Sequence, residues 1–256
     1  LNNAPSTPES FCLYTVSEIK NENFSKKKFS QNVYHSEFGM SEGFVGNKEI
    51  SQIVTLTPEA LFTAGPESKL STRTVILNHT DQNSSHIQTI NFNGSILAQD
   101  EFNNAKVLQH DFGISTSTLG GAVEIEFTGL FNGNDRQQVA SVKLTYPRTF
   151  DFGGENFMEF SMPASSSLQY LSISNFDLGS SNPILYDLTN QIRIETTVSG
   201  SNVEIALPPS AVERKLVLIN NNSGINLIND LNPISFIDYT QQDDDFIIIS
   251  NQLNSI

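Results

Sequence analysis

Apolar side chains return at every second position along much of this chain. In residues 139–148, V-A-S-V-K-L-T-Y-P-R, Val142, Leu144 and Tyr146 fall on one side of an extended backbone and Ser141, Lys143 and Thr145 on the other. This is the pattern of a half-buried β-strand. Pro147 removes a ladder donor and fixes φ, which predicts that the strand stops there or lies at an edge. Val123, Ile125 and Phe127 alternate with Glu124 and Glu126, and Ile90 and Phe92 with Thr89 and Asn91. Asn93-Gly94 tolerates positive φ at both positions and predicts a hairpin. Further strands are predicted at 53–56, 72–78, 95–98 and 106–114. Short strands at near-regular spacing, with no amphipathic helix among them, predict a jelly-roll β-sandwich over residues 35–148.

A second rhythm follows. Residues 150–152, 157–160, 168–173, 184–187 and 216–219 read as strands. Ile192 and Ile194 match Val203, Ile205 and Leu207 in pattern through a turn at Gly200. A smaller, immunoglobulin-like sandwich is therefore expected over residues 149–222. Residues 223–256 read as a linker and one strand. Its run Phe246, Ile247, Ile248, Ile249 fits a strand buried on both faces, the first of a truncated α/β domain. The fold class expected is thus all-β, two sandwiches, with that strand at the C-terminus. Residues 1–34 form an N-terminal segment in which 11–19 suits a strand or a short helix.

Charge narrows the partners. The 256 residues carry 14 basic and 28 acidic side chains, a net charge of −14. That disfavours nucleic acid, whose phosphates require Lys and Arg, and anionic membrane surfaces. No apolar run approaches the roughly 20 residues of a membrane-spanning helix. Cys12 is the single cysteine, so the chain has no internal disulfide. A start at Leu1 suits either a removed signal peptide or a sequence taken from mid-chain.

Candidate chemistry is sparse. His35, His79, His86 and His110 lack metal-ligand spacing, and only His79, His86 and His110 meeting on neighbouring strands could bind an ion. Polar groups at strand ends are the plainer account. Asp243, Asp244 and Asp245 lack the glycine and bidentate Glu of a calcium loop and read as solvated linker. Lys26, Lys27 and Lys28 read as a solvated loop. Glu124 and Glu126 share a face, as paired glycosidase carboxylates must, but outward alternation explains them. Cys12 reads as a small buried hydrophobe. No catalytic, cofactor-binding or metal residue is expected, and no cofactor.

Four stretches carry a family likeness: H-I-Q-T-I-N-F-N-G at 86–94, V-A-S-V-K-L-T-Y-P-R at 139–148, L-Y-D-L-T-N at 185–190 and D-D-D-F-I-I-I-S at 243–250. In this order they resemble the N-terminal portion of gingipain-like cysteine peptidases, closest to the type IX secretion system surface sortases of Bacteroidetes. The resemblance implies a caspase-like catalytic domain with its Cys–His pair beyond Ile256. No position here inherits those roles, and Cys12 precedes the first sandwich. The function implied is a non-catalytic region that scaffolds or orients the downstream peptidase domain. Its implied setting is the cell surface, the outer membrane or the periplasm, with secretion-system or outer-membrane proteins as further partners. The jelly-roll pattern leaves a second reading, a carbohydrate-binding or adhesion module. Sugar sites stack flat aromatics, however, and this chain has no Trp and only 6 Tyr. A self-contained hydrolase lacks a nucleophile–base pair at usable spacing.

Overall fold

The computed structural model describes residues 5–25, 28–30, 33–34, 43–76, 85–103, 106–129 and 136–220. The chain divides into two compact units, residues 1–223 and 224–256. The linker, the three aspartates and the strand expected at 246–249 lie outside the described residues.

The first unit is built of strands: β1 (Cys12–Ile19), β2 (Asn23–Ser25), β3 (Lys28–Ser30), β4 (Val33–Tyr34), β5 (Gly43–Val45), β6 (Ser51–Leu56), β7 (Ser68–Ile76), β8 (Ser85–Phe92), β9 (Ser95–Asn103), β10 (Lys106–Ile114), β11 (Val123–Gly129) and β12 (Gln137–Arg148). They continue as β13 (Phe157–Met162), β14 (Gln169–Ile173), β15 (Ile184–Asp187), β16 (Ile192–Glu195), β17 (Thr197–Ser199), β18 (Asn202–Leu207) and β19 (Arg214–Ile219). Among the described residues there is no α-helix, only a 3-10 turn at Thr116–Thr118.

The first sandwich sets strands in the order β10-β7-β12-β1 against β6-β11-β8-β9. With β1 counted first, this is the strand order of a jelly roll. The alternating positions make its core: Leu70, Ile90, Ile125, Phe127, Val142 and Leu144 are fully buried between the sheets. Each such side chain contributes about 1.5–3 kcal/mol by leaving water. The β8–β9 turn is tight, with φ of 47° at Asn93 and 79° at Gly94. The Asn93 side-chain oxygen accepts the Glu124 N–H at 2.9 Å, tying the turn to β11.

In the second sandwich, β13-β19-β15-β16 packs on β14-β18-β17. The latter three occupy the places of strands B, E and D of an immunoglobulin fold, and β19-β15-β16 those of F, C and C′. Phe152, Met162, Leu171, Ile173, Ile205 and Leu216 fill its core, and Phe152 meets Phe160 edge-on at 5.3 Å.

The structure resolves one open sequence expectation and changes two. The stretch 11–19 is a strand, and β1 completes the jelly roll by pairing with β12 from Cys12↔Arg148 to Ile19↔Ser141. Ile192 and Ile194 pair with β15, not with β18; it is β17 that turns through Gly200 onto β18. Buried Thr196 marks the crossing between sheets, its hydroxyl donating to the Pro183 carbonyl at 2.6 Å. Finally, β12 runs through Pro147 to Arg148. The Pro147 carbonyl accepts the Phe62 N–H at 2.9 Å. A residue's N and C=O point the same way, so the missing donor faces the Phe62 loop and costs the β1 ladder nothing.

Candidate functional site

The two sandwiches share one eight-stranded sheet, in which β1 is the link between β12 and β13. The chemistry-bearing side chains of the Tyr-Pro-Arg stretch gather at this seam. Strand alternation turns Tyr146 inward to the first core, where it is 1% exposed. Its hydroxyl accepts the Glu59 N–H at 2.9 Å and donates to the Glu59 carbonyl at 3.0 Å. Burial holds this phenol above its ordinary range, against the pull of the Glu59 hydrogen bond. Tyr14 meets Tyr146 edge-on at 5.9 Å and packs against both cores.

Arg148 lies where the sandwiches meet and is almost wholly buried. Its guanidinium sits 4.9 Å from the centre of the Tyr14 ring. Nε and Nη2 donate to the Asp151 carbonyl at 3.2 and 3.0 Å, closing the turn into the second sandwich. The Asp151 carboxylate accepts the Gly153 N–H at 3.0 Å, and that bond first among several holds it below the usual range. Cys12, the first residue of β1, is fully buried in the second core, and burial pushes its thiol up to about 12. A thiol so placed stays protonated near neutrality and is a poor nucleophile. Beside this cluster β1 and β13 enclose a cleft of about 180 Å³.

The L-Y-D-L-T-N stretch has a structural role as well. Asp187 and Arg214 are both fully buried, with Oδ2 and Nη1 3.5 Å apart. Asp187 also accepts the Asn190 N–H at 2.9 Å and its side-chain amide at 2.8 Å. Thr189 accepts the Lys215 N–H at 2.9 Å. Burial lowers the Arg214 pKa, and Asp187 opposes the shift.

The remaining sequence candidates do not converge. His86 is buried in the first sandwich beside Phe102, whereas His110 stacks on Phe112 and contacts Asp100 at 3.0 Å. His35, His79, Lys26 and Lys27 lie outside the described residues, as do Asp243, Asp244 and Asp245. Among the described residues no group of three or more His, Cys, Asp or Glu comes within reach of a common ion. Glu126 accepts from Ser51 and Asn91 at 3.2 Å each, and Glu124 is exposed. The outer face of β10-β7-β12 holds a cleft of about 560 Å³ lined by Ser71, Arg73, Gln109, Asp111, Ser141 and Lys143. Sequence reasoning singled out Tyr146, Pro147 and Arg148 but not their partners Tyr14, Glu59 and Asp151. Only the alternation Cys12, Tyr14, Val16 signals that β1 has a buried side.

No protein-family model and no curated protein matches this chain. Among solved structures it is similar to dimeric latent PorU from Porphyromonas gingivalis, with a TM-score of 0.59 at 10% identity. The match covers 85% of this chain and 21% of that one, so the chain spans about a fifth of its neighbour's length. A family 35 carbohydrate-binding module from Clostridium thermocellum has a TM-score of 0.28 at 14% identity, over 54% of this chain and 98% of that one. The CBM36-1 domain of a multidomain xylanase from the hindgut metagenome of Trinervitermes trinervoides has a TM-score of 0.28 at 10% identity, over 52% and 95%. What this chain shares with PorU at such low identity is a fold.

Proposed function

We propose that this chain is the non-catalytic two-sandwich region of a gingipain-like cysteine peptidase of the type IX sortase kind. Its task is to hold and orient a downstream peptidase domain at the cell surface, where secretion-system or outer-membrane proteins are its further partners. The likeness to PorU over 85% of the chain carries this reading. The seam supports it. A continuous sheet, clamped by Arg148 and Tyr14, makes a stiff base on which a further domain can be held. Its one thiol is sealed inside that base.

The test has two arms. The purified chain is assayed with peptide substrates and a thiol-reactive probe, with no turnover and no labelling of native Cys12 expected. The parent protein is then expressed with residues 1–222 supplied as a separate chain, which is expected to co-purify with the remainder. Turnover abolished by Cys12→Ser overturns the non-catalytic reading, and failure to co-purify overturns the holding role. The polar outer-face cleft favours a second reading, glycan binding. A glycan array decides it, since selective binding lost on Lys143→Ala and Gln109→Ala is required.

A further inference from the structure

Two strand edges inside the eight-stranded sheet meet at a single pair and then part. β1 and β13 run antiparallel and are registered only at Leu13 with Ser161. Along a strand, the N–H and C=O of one residue point to the same side, and successive residues point to opposite sides. The Lys20 N–H donates to the Ala140 carbonyl at 3.0 Å, continuing the β1–β12 ladder. Even-numbered residues of β1 therefore face β12, and Leu13, Thr15, Ser17 and Ile19 face away from it. The Asn220 N–H donates to the Asn156 carbonyl at 3.0 Å on the β19 side of β13. Even-numbered residues there face β19, leaving Phe157, Glu159 and Ser161 turned toward β1. The Leu13–Ser161 pair obeys both parities.

Past that pair, the amides and carbonyls of Thr15, Ser17 and Ile19 look across at those of Phe157 and Glu159. Among the described residues no further pair joins β1 to β13. Where the strands begin to part lies the cleft of about 180 Å³, lined by Leu13, Tyr14 and Thr15 on one side and by residues 157–161 and Lys215 on the other. Ser17 and Ile19 extend the same edge of β1 beyond it. Ile19 is 63% exposed and Phe157 51%. A ladder edge of this length is a template for another strand, and proteins ordinarily cover or blunt such edges.

We infer that the cleft receives an extended segment of a partner polypeptide, added as a strand along β1 and continuing the Leu13–Ser161 ladder. The occupant follows from the backbone chemistry. Donor and acceptor groups recur at every second residue, roughly 6.8 Å apart, a spacing that an extended peptide matches and a helix or sugar does not. Alternation dictates its sequence. Side chains aligned with exposed Thr15 and Ser17 are polar, and those aligned with Tyr14 and Val16, which pack on the first core, are apolar. This surface does not depend on the peptidase assignment.

The probe is a displayed library of random ten-residue peptides selected on the purified chain, followed by amide hydrogen exchange and by Ser17→Pro. The Ser17 N–H turns away from β12, on the edge that runs out from the cleft, so proline there removes a docking donor and spares the β1–β12 ladder. The amides of Thr15, Ser17 and Ile19 should exchange fast in the free chain and become protected by selected peptides of alternating polarity. Ser17→Pro should weaken that binding about tenfold or more. Thr15→Pro, on the same edge of β1, supplies the same readout if Ser17→Pro does not fold. Slow exchange at all three amides in the free chain, no selected peptide, or equal affinity in both variants overturns the inference. So does a dimer in sedimentation that Ser17→Pro disperses, because the edge then belongs to a second copy.

Discussion

Cys12 shows how one buried atom links burial to pH. Its thiol has no charged form that the second core tolerates, so its pKa rises from 9.0 to about 12. The folded state then keeps a proton that the unfolded chain releases. The resulting stability is fully present below about pH 9 and is lost as pH rises toward 12. The ceiling on that loss is about 4 kcal/mol. Denaturant midpoints measured between pH 8 and 11 should therefore fall less steeply in Cys12→Ala than in the parent chain, and parallel slopes would refute the assignment. The buried Asp187–Arg214 pair acts through unpaired charge. Asp187→Ala strands a fully buried guanidinium and should cost about 3–5 kcal/mol, whereas Asp187→Leu combined with Arg214→Met should cost less than the single change. Chemical denaturation of the two variants decides the order.

Two glycines separate backbone strain from packing at the level of the elements. Gly94 turns the β8–β9 hairpin at a φ of +79°, and a Cβ there meets nothing within 4 Å. Gly94→Ala should cost only its backbone term, about 1 kcal/mol. Gly65 lies in the loop over Pro147, where an added Cβ falls 2.5 Å from Cβ and Cγ of that proline. Gly65→Ala should cost about 1–3 kcal/mol through overpacking, and Pro147→Gly, which removes both carbons, should relieve it. A double-mutant cycle in denaturant checks the coupling, which must be absent at Gly94. The same contrast explains what sequence makes legible. The Asn93-Gly94 hairpin, β10 and the alternation of β11 are local patterns, readable because each strand's buried face is written at a spacing of two. The place of β1 is not local, since Thr15 and Thr145 touch across 130 positions of sequence. Alternation tells which face of a strand is buried but not which edge it joins. The Pro147 boundary misleads for a related reason, because the side its nitrogen faces depends on the Phe62 loop. At the candidate site, Tyr146 and Arg148 are visible as members of a strand, while their acceptors, the backbone carbonyls of Glu59 and Asp151, carry no side-chain signature.

At the scale of the molecule, the seam decides whether two sandwiches behave as one body. Two hydrophobic clusters fill separate cores, yet Tyr14 packs on both and Cys12 belongs to the second while its strand closes the first. Neither sandwich is complete without β1. Unfolding the first removes a core residue and the Arg148 clamp from the second, so residues 1–223 should melt in one calorimetric transition. The coupling runs through few groups: Cys12 in the second core, the Leu13–Ser161 pair, the Arg148 bonds to the Asp151 carbonyl and the Tyr14 ring. Arg148→Met keeps the volume of the side chain but loses both hydrogen bonds and the cation above the ring. Together with Tyr14→Leu it should resolve the single transition into two, the first sandwich retaining its β1 ladder. Calorimetric and van't Hoff enthalpies that stay equal in the double variant would place the coupling elsewhere in the sheet. A second domain can be held at a fixed angle only by a base that does not flex, and the seam is where such flexing has to occur. The variant that splits the melt should therefore also free the angle between the sandwiches, widening the distance distribution between spin labels on Glu124 and Lys215 (both exposed positions).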